Sequence, residues 1–403
     1  MMRQNFNVDF EIDVCIIGGS IAGNYLACLL AEQNVKCCII EEHEILGLPF
    51  QCAGIISQKI LNLATFPKSI ILNRVKTAKI VAPNNQSIEL SGNENPVIID
   101  RIKFDKFFGK KAQKMGVKYY LGEKYLSHWS TTKNKIFIKT SKHGIVAKII
   151  VGADGPFSKV AKRYGIKNTM IPAVQARVKF NYNLDKTAMY FNQRWKELFG
   201  YIVPEGENEI CRIGLATFDH PNNAFTSFLK KIGADPSQII SRQGGALPFG
   251  YPKTFTFKNA VLLGDSACMV KGTTGGGIVM LISAAKILAP AISKSLKKND
   301  FSKLFFRKNY EKLVKRSIGA ELRLHFLIRI ILMELKSEDF NQIFCMYLNS
   351  RDLQEIVENY ADMDFPLKLV RKLLFNREFI RFALGLTIRN WYILPKIIKI
   401  LLF

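Results

Sequence analysis

Acidic residues are scarce in this chain of 403 residues, where 33 Asp and Glu stand against 58 Lys and Arg for a formal net charge of +25. Such an excess points to nucleic acid, anionic lipid surfaces or acidic small molecules as partners. No helix-turn-helix, zinc-finger or RNA-binding signature accompanies it, so nucleic acid is not an expected partner. Paired cysteines are missing as well. Cys15, Cys28, Cys37, Cys38, Cys52, Cys211, Cys268 and Cys345 follow no metal-binding spacing, which predicts reduced thiols and no metal centre, with Cys15, Cys28 and Cys38 as core residues. Residues 1–11 lack the apolar core of a signal peptide, and the expected location is cytoplasmic. Neither an internal repeat nor a low-complexity run is present. The length suits two closely packed domains and a tail.

What is present begins with Val14-Cys15-Ile16-Ile17-Gly18-Gly19-Ser20-Ile21-Ala22-Gly23, an apolar strand, a tight turn and the start of an apolar helix. A turn of this kind aims backbone N–H groups and the positive end of a helix at a pyrophosphate. The pattern is G-x-G-x-x-G with Ser20 in place of the middle glycine. A second apolar strand, Val35 to Ile40, ends in Glu41 and Glu42, where an acidic side chain holds a ribose hydroxyl. Further on, Ile149-Ile150-Val151-Gly152-Ala153-Asp154-Gly155 is another apolar strand ending in Gly and Asp. Val261 to Leu263 repeats the theme before Gly264-Asp265 and the run Gly275-Gly276-Gly277-Ile278, which opens a long helix. Asp265 suits a ribityl hydroxyl, and the amides of that helix start suit the pyrimidine edge of an isoalloxazine. Together these segments imply a flavin dinucleotide, FAD.

On these residues the chain resembles the geranylgeranyl reductase family, within the flavoproteins shaped like p-hydroxybenzoate hydroxylase. Asp100-Arg101 with Phe104-Asp105 is similar to the family's D-R-x-x-F-D segment, and the resemblance places Arg101 near the FAD phosphates. Pro49-Phe50-Gln51-Cys52-Ala53-Gly54-Ile55-Ile56-Ser57 resembles the P-V-Q-C-A-G-L-V-S box of archaeal members, which act on isoprenoid chains of membrane lipids. The resemblance puts Cys52 and Ala53 beside the flavin, with Cys52 as the catalytic candidate. A thiol, mostly protonated at neutral pH, can supply a proton or steer which alkene is reduced; a small residue in a tight loop is the plainer reading. The family's substrate motif appears as Phe199-Gly200-Tyr201-Ile202-Val203-Pro204, with Tyr for Trp, and Phe199, Tyr201 and Pro204 are the substrate-wall candidates. Phe180, Tyr182, Tyr190, Phe191, Trp195 and Phe218 are further wall candidates, half or more of them readable as ordinary core. Gly272 stands where the family has Pro, and Ser266 where it has Ala; Gly272 is expected to loosen the loop. Lys271 reads either as a lure for an anionic group or as solvated.

The expected fold class is α/β. A discontinuous Rossmann-like FAD domain (residues 1–74, 98–171 and 250–298) carries an antiparallel β substrate domain (75–97 and 172–249) and a helical C-terminal region (299–403). That last region interleaves Arg371, Lys372, Arg377, Arg381, Arg389, Lys396 and Lys399 with aromatic and aliphatic residues. It lacks an uninterrupted apolar span of roughly 20 residues, so it reads as lying on the inner face of the cell membrane rather than crossing it, or else as packing on the core. The resemblance implies an FAD-dependent reductase of C=C bonds in geranylgeranyl chains of archaeal-type ether lipid precursors. A prenylated lipid would be the substrate, and ferredoxin or NAD(P)H the electron donor. The alternatives are a geranylgeranyl diphosphate reductase, a flavin monooxygenase or halogenase on the same fold, whose W-x-W-x-I-P spacing is similar to residues 199–204, and an FAD-binding membrane protein without turnover.

Overall fold

The computed structural model describes residues 7–49, 51–92, 94–131, 134–206 and 209–402. Phe50 of the cysteine box, Met1–Phe6 and Phe403 lie outside the described residues. Parallel strands of the first sheet stand in the order Lys118–Leu121, Cys37–Glu41, Phe10–Ile17, Gly144–Gly152 and Ala260–Leu262. Thr256–Phe257 closes one edge antiparallel, and the pair Tyr125–Ser130 and Ile136–Thr140 extends the first half of Gly144–Gly152. Val14, Cys15, Ile16, Ile149, Ile150 and Val151 have no exposed surface, as expected of parallel strands covered on both faces, which read as continuous apolar runs. The helix Ile21–Glu32 packs against Arg101–Lys114 and against the long helix Ile278–Lys298. By length and composition Ile278–Lys298 could cross a membrane, but in this fold it is mainly a buried core helix.

Register decides where the motifs meet. Ile17 lies opposite both Ile40 and Gly152, and Gly152 opposite Leu262. The alignment continues past the strands: Gly18 N–H donates to Ile40 O at 2.9 Å, Ala153 N–H to Ile17 O at 2.8 Å and Leu263 N–H to Gly152 O at 2.9 Å. Three loops from distant parts of the sequence therefore leave the carboxyl edge of the sheet at one level, the place where open α/β sheets bind ligands. Ser266 reinforces the crossing, its hydroxyl donating to Gly152 O at 2.6 Å. Gly18 has φ +105°, and a Cβ there would stand 2.3 Å from Ala153 O. Gly23 leaves no more room, with a Cβ 2.0 Å from Gly18 O.

The second sheet runs Ile239–Phe249, Thr169–Lys179, Ile210–Ala216, Gly200–Pro204, Lys186–Tyr190, Thr77–Val81, Ser87–Ser91. Its neighbours are antiparallel except Lys186–Tyr190 and Thr77–Val81, which run parallel. This departs from the uniformly antiparallel sheet expected from sequence, because the hairpin 77–91 arrives from a distant stretch of chain and its direction is not set by a short connection. Ile239–Phe249 is also absent from the sequence expectation. Its centre, Ser241-Arg242-Gln243-Gly244-Gly245, has low strand propensity, yet the segment pairs along Thr169–Val178 as an edge strand. Behind the sheet the helix Pro221–Ile232 covers a core of Trp195, Phe225 and Phe228.

Beyond Lys303 the chain is helical, with wider turns at Arg307–Glu311 and Lys315–Gly319 leading into Ala320–Glu334. Helices Ser337–Asn349, Arg351–Tyr360, Leu367–Leu373, Arg377–Arg389 and Leu394–Leu402 follow. Replacing Gly23 by Ala would force the helix Ile21–Glu32 off the glycine turn. Urea unfolding of Gly23→Ala is expected to show a loss of about 2–3 kcal/mol, and a loss below about 0.5 kcal/mol would contradict this packing.

Candidate cofactor and active site

A cleft of about 870 Å³ opens along the rim where the three loops emerge and continues under the second sheet. That is ample for a large ligand. Gly18, Gly19, Ser20 and Ala22 line one end. Ser20, exposed at the cleft, caps the helix with extended backbone and makes no side-chain cap bond. Gly23 does not line it; its place is in the packing just described. Gly19 N–H donates to Glu41 Oε2 at 2.5 Å, and His43 meets Glu41 Oε1 through its backbone N–H at 2.9 Å and Nδ1 at 2.6 Å. Oε1 is filled by those two bonds, and Oε2, which accepts only from Gly19, retains capacity for a further donor, which suits a ribose hydroxyl. Glu42 lines the cleft alongside, exposed.

Asp154 and Gly155 line the cleft from the second loop. Asp154 Oδ1 accepts from Ser158 Oγ at 2.5 Å and Oδ2 from Val160 N–H at 3.2 Å, so this carboxylate ties down the start of Lys159–Arg163. Burial pushes its carboxyl above the ordinary range despite those bonds. Asp265, on the third loop, differs in that no hydrogen bond to its carboxylate comes from the described residues. Burial pushes it up to about 6, with Arg101 acting in the opposite sense. A half-buried carboxylate with no donor among the described residues, lining a cleft, fits a ligand hydroxyl. Gly275, Gly276, Gly277 and Ile278 border the same end. Gly275 N–H is spent on Lys271 O and Gly276 N–H on Thr274 Oγ1. The amides of Gly277, Ile278 and Val279, at the helix start, donate to no described residue and line the cleft. These groups fit FAD. Ser20 and the glycine turn would hold its pyrophosphate, Glu41 its ribose, Asp265 its ribityl chain, and the Gly277–Val279 amides its pyrimidine edge.

The cysteine box enters between the two sheets, and Cys52, Ala53 and Gly54 line the cleft. Gly54 N–H lies 3.3 Å from Cys52 Sγ. Arg101 Nε and Nη2 each donate to Asp105 at 3.2 Å. Burial opposes the charge of this guanidinium, Asp105 favours it, and its pKa stays above the ordinary value. Arg212, a buried cation not singled out in the sequence, braces the box from behind. Its Nη1 donates to Ala53 O at 2.8 Å and Ile99 O at 3.2 Å, and its Nε to Glu205 Oε1 at 2.6 Å. A Cβ on Gly54 would sit 1.9 Å from Arg212 Nη1, which accounts for glycine in the box. Burial works against ionised Glu205, yet Arg177 and Arg212 outweigh it and keep the carboxyl below its usual range.

In the same cleft as Cys52, the residues Ala173, Val174, Leu198, Leu215, Ala216 and Leu247 form a largely apolar lining. Of the aromatic wall candidates only Tyr201 reaches it. Its hydroxyl donates to Gln175 Oε1 at 2.7 Å, and Gln175 Nε2 donates to Gln243 Oε1 at 2.7 Å and Cys52 O at 3.3 Å. Gln175 and Gln243 carried no sequence signal beyond Gln175 interrupting an apolar strand. Pro204 lies off the cleft, since positions 201 and 204 fall on opposite faces of a strand. Phe199 also lies off it, in an apolar seam against Phe191, which in turn meets Phe340 of the C-terminal region. Phe180, Tyr182, Tyr190 and Trp195 belong to the core beneath Pro221–Ile232.

The loop 271–277 is held rather than loosened by Gly272. A Cβ there would stand 2.9 Å from His325 O and Phe326 Cα, so glycine lets the helix Ala320–Glu334 press onto the loop. Lys271 is buried, not solvated, and donates to Asp364 Oδ1 at 2.6 Å and Met363 O at 2.9 Å.

Residues 11–223 match the FAD binding domain family. An uncharacterised protein of Methanocaldococcus jannaschii is 30% identical over 384 residues, 90% of this chain and 95% of that protein. The digeranylgeranylglycerophospholipid reductase of Thermoplasma volcanium is 26% identical over 358 residues, 82% of this chain and 90% of that enzyme. The crystal structure of a geranylgeranyl bacteriochlorophyll reductase-like protein from Thermoplasma acidophilum superposes with a TM-score of 0.80 at 23% identity, covering 93% of this chain and 99% of that one. The chain belongs to the flavoproteins built on this FAD binding domain, and among them to the geranylgeranyl reductase family of FAD-dependent oxidoreductases.

Because the folded-state pKa of Asp265 is raised from 3.8 to about 6, the stability brought by its protonation is full below about pH 4 and is lost as pH rises through about 6. Asp265→Asn removes that dependence. In urea unfolding of FAD-free protein, the variant is expected to gain on the parent by up to about 3 kcal/mol between about pH 4 and pH 8. A difference that stays constant with pH would contradict the assignment.

Proposed function

We propose that the protein saturates C=C bonds of geranylgeranyl chains in membrane lipid precursors of the archaeal ether type. The observation that carries this reading is that Cys52 lines one cleft together with the groups that fit FAD and with a set of apolar side chains. Relatives named digeranylgeranylglycerophospholipid reductase support it. Bound FAD, once reduced, supplies hydride from N5. The chain's part is to hold an unpolarised alkene close and dry, and to give a proton to the carbon that does not receive hydride. Ala173, Leu198, Leu215 and Leu247 supply the apolar contact. Cys52 supplies the proton, in a loop fixed by Arg212 behind and Gln175 in front. The Gly277–Val279 amides stabilise the negative charge of reduced flavin. Reducing equivalents would come from ferredoxin or NAD(P)H.

The same reading places the enzyme on the inner face of the cell membrane through its last helices. Phe375, Ile388 and Trp391 are 86%, 74% and 68% exposed, among Arg377, Arg381, Arg389, Lys396 and Lys399. Bulky apolar tips within a basic field suit an anionic lipid surface. In co-sedimentation with vesicles containing anionic phospholipid, the protein is expected to pellet and the double variant Phe375→Glu, Trp391→Glu to stay largely in the supernatant. Equal pelleting of the two would exclude this surface.

Turnover is tested by incubating the FAD-loaded protein, reduced anaerobically with dithionite, with an unsaturated digeranylgeranylglycerol phospholipid. Mass gains in steps of two hydrogens are expected. Product that forms only with oxygen would point to a monooxygenase or halogenase and sink the reductase reading. Cys52→Ala is expected to slow or truncate saturation with FAD still bound, whereas an unchanged product distribution would make Cys52 a structural loop residue.

A further inference from the structure

The loop that aims the Gly277–Val279 amides into the cleft is gripped from outside by the C-terminal helical region, and most of that grip carries no net charge. His325 accepts from Thr273 Oγ1 at Nδ1, 2.5 Å, and donates from Nε2 to Asp364 O at 3.0 Å. Those roles belong to a neutral imidazole, and burial together with nearby Lys271 lowers its pKa to about 4. The Lys271 ammonium is cancelled by Asp364 at 2.6 Å. Arg329 is different. It has no exposed surface, and its fork is spent entirely on backbone carbonyls: Nε donates to Gly272 O at 2.9 Å, Nη2 to Thr273 O at 2.5 Å and Nη1 to Leu198 O at 3.1 Å. Glu197, itself buried and accepting from Thr217 Oγ1 at 2.7 Å, acts on Arg329 only through space and does not offset the effect of burial. The guanidinium pKa falls to about 10, which still leaves it charged at neutral pH.

A fully buried cation held only by carbonyls is costly unless a nearby negative charge offsets it. Two of its carbonyls belong to the flavin loop, and the third belongs to Leu198, which lines the cleft. We propose that Arg329 is the positioning residue for the flavin, fixing the 272–273 peptides so that the following amides meet the pyrimidine edge and placing behind them a positive charge that no carboxylate among the described residues contacts, which favours the reduced, anionic cofactor. The inference rests on FAD binding and not on the identity of the alkene, so it stands or falls separately from the proposed substrate.

Two variants separate the charge from the fork. Arg329→Gln keeps amide donors for the loop and removes the charge; Arg329→Lys keeps the charge and removes the planar fork. The readouts are dissociation constants for oxidised and reduced FAD and the two-electron midpoint potential of the substrate-free protein. Arg329→Gln is expected to weaken reduced FAD about tenfold more than oxidised FAD, a fall in potential of about 30 mV. Arg329→Lys is expected to hold the potential within about 10 mV of the parent, a factor of roughly two, while binding both redox forms more weakly. A potential unchanged in Arg329→Gln, or equal weakening of both redox forms in both variants, would reduce Arg329 to a structural residue and overturn the proposal. Should Arg329→Gln fail to fold, wild-type FAD affinity in Arg329→Lys would overturn it alone.

Discussion

The alignment of Ile17, Ile40, Gly152 and Leu262 across the parallel sheet is the constraint on which the rest depends. Because these strand ends share one level, the loops after them share one rim, and residues more than 200 positions apart line one cleft. Glycine is required where backbones cross at that rim. Gly18 runs against Ala153 O and Gly23 against Gly18 O, with no room for a methyl group at either place. Ser266 adds a buried hydroxyl bond across the same junction.

Two further bodies then complete what the sheet begins. The second sheet brings the apolar lining over the rim, and the cysteine box fills the junction, braced by Arg212 and linked through Gln175 to Tyr201. The C-terminal helices close the other side by holding the loop 271–277 through Arg329, His325 and Asp364. The family match ends at residue 223, so this clamp, and the third of the rim loops with it, lies outside the matched domain.

Local periodicity made much of this legible in the sequence. Continuous apolar strands running into Gly and acidic residues announce a parallel sheet with its ligand edge, and Ser20, Glu41, Asp265 and Gly277 all reach the cleft. Contacts set by distant chain were not legible. Arg329 and Asp364 look like ordinary members of charged helical sequence until the tail folds back, and Gly272 reads as a loosened loop until the helix at His325 is seen against it. Motif resemblance puts Phe199 and Pro204 on the substrate wall, but strand alternation and the seam with Phe191 turn them away from the cleft while Tyr201 stays in it. Ile239–Phe249 is not legible as a strand because its Gly-rich centre carries no strand pattern and is organised by pairing with Thr169–Val178.

The central claim is that one FAD spans the three rim loops, with its isoalloxazine between the Gly277–Ile278 amides and the Cys52 loop. An experimental structure of the protein with FAD bound tests it most directly. The account predicts pyrophosphate oxygens within hydrogen-bond distance of the Gly19–Ser20 turn, a ribityl hydroxyl on Asp265, and the flavin pyrimidine edge on the amides of Gly277 and Ile278. An isoalloxazine lying away from those amides, with Asp265 left in contact with protein alone, would contradict it.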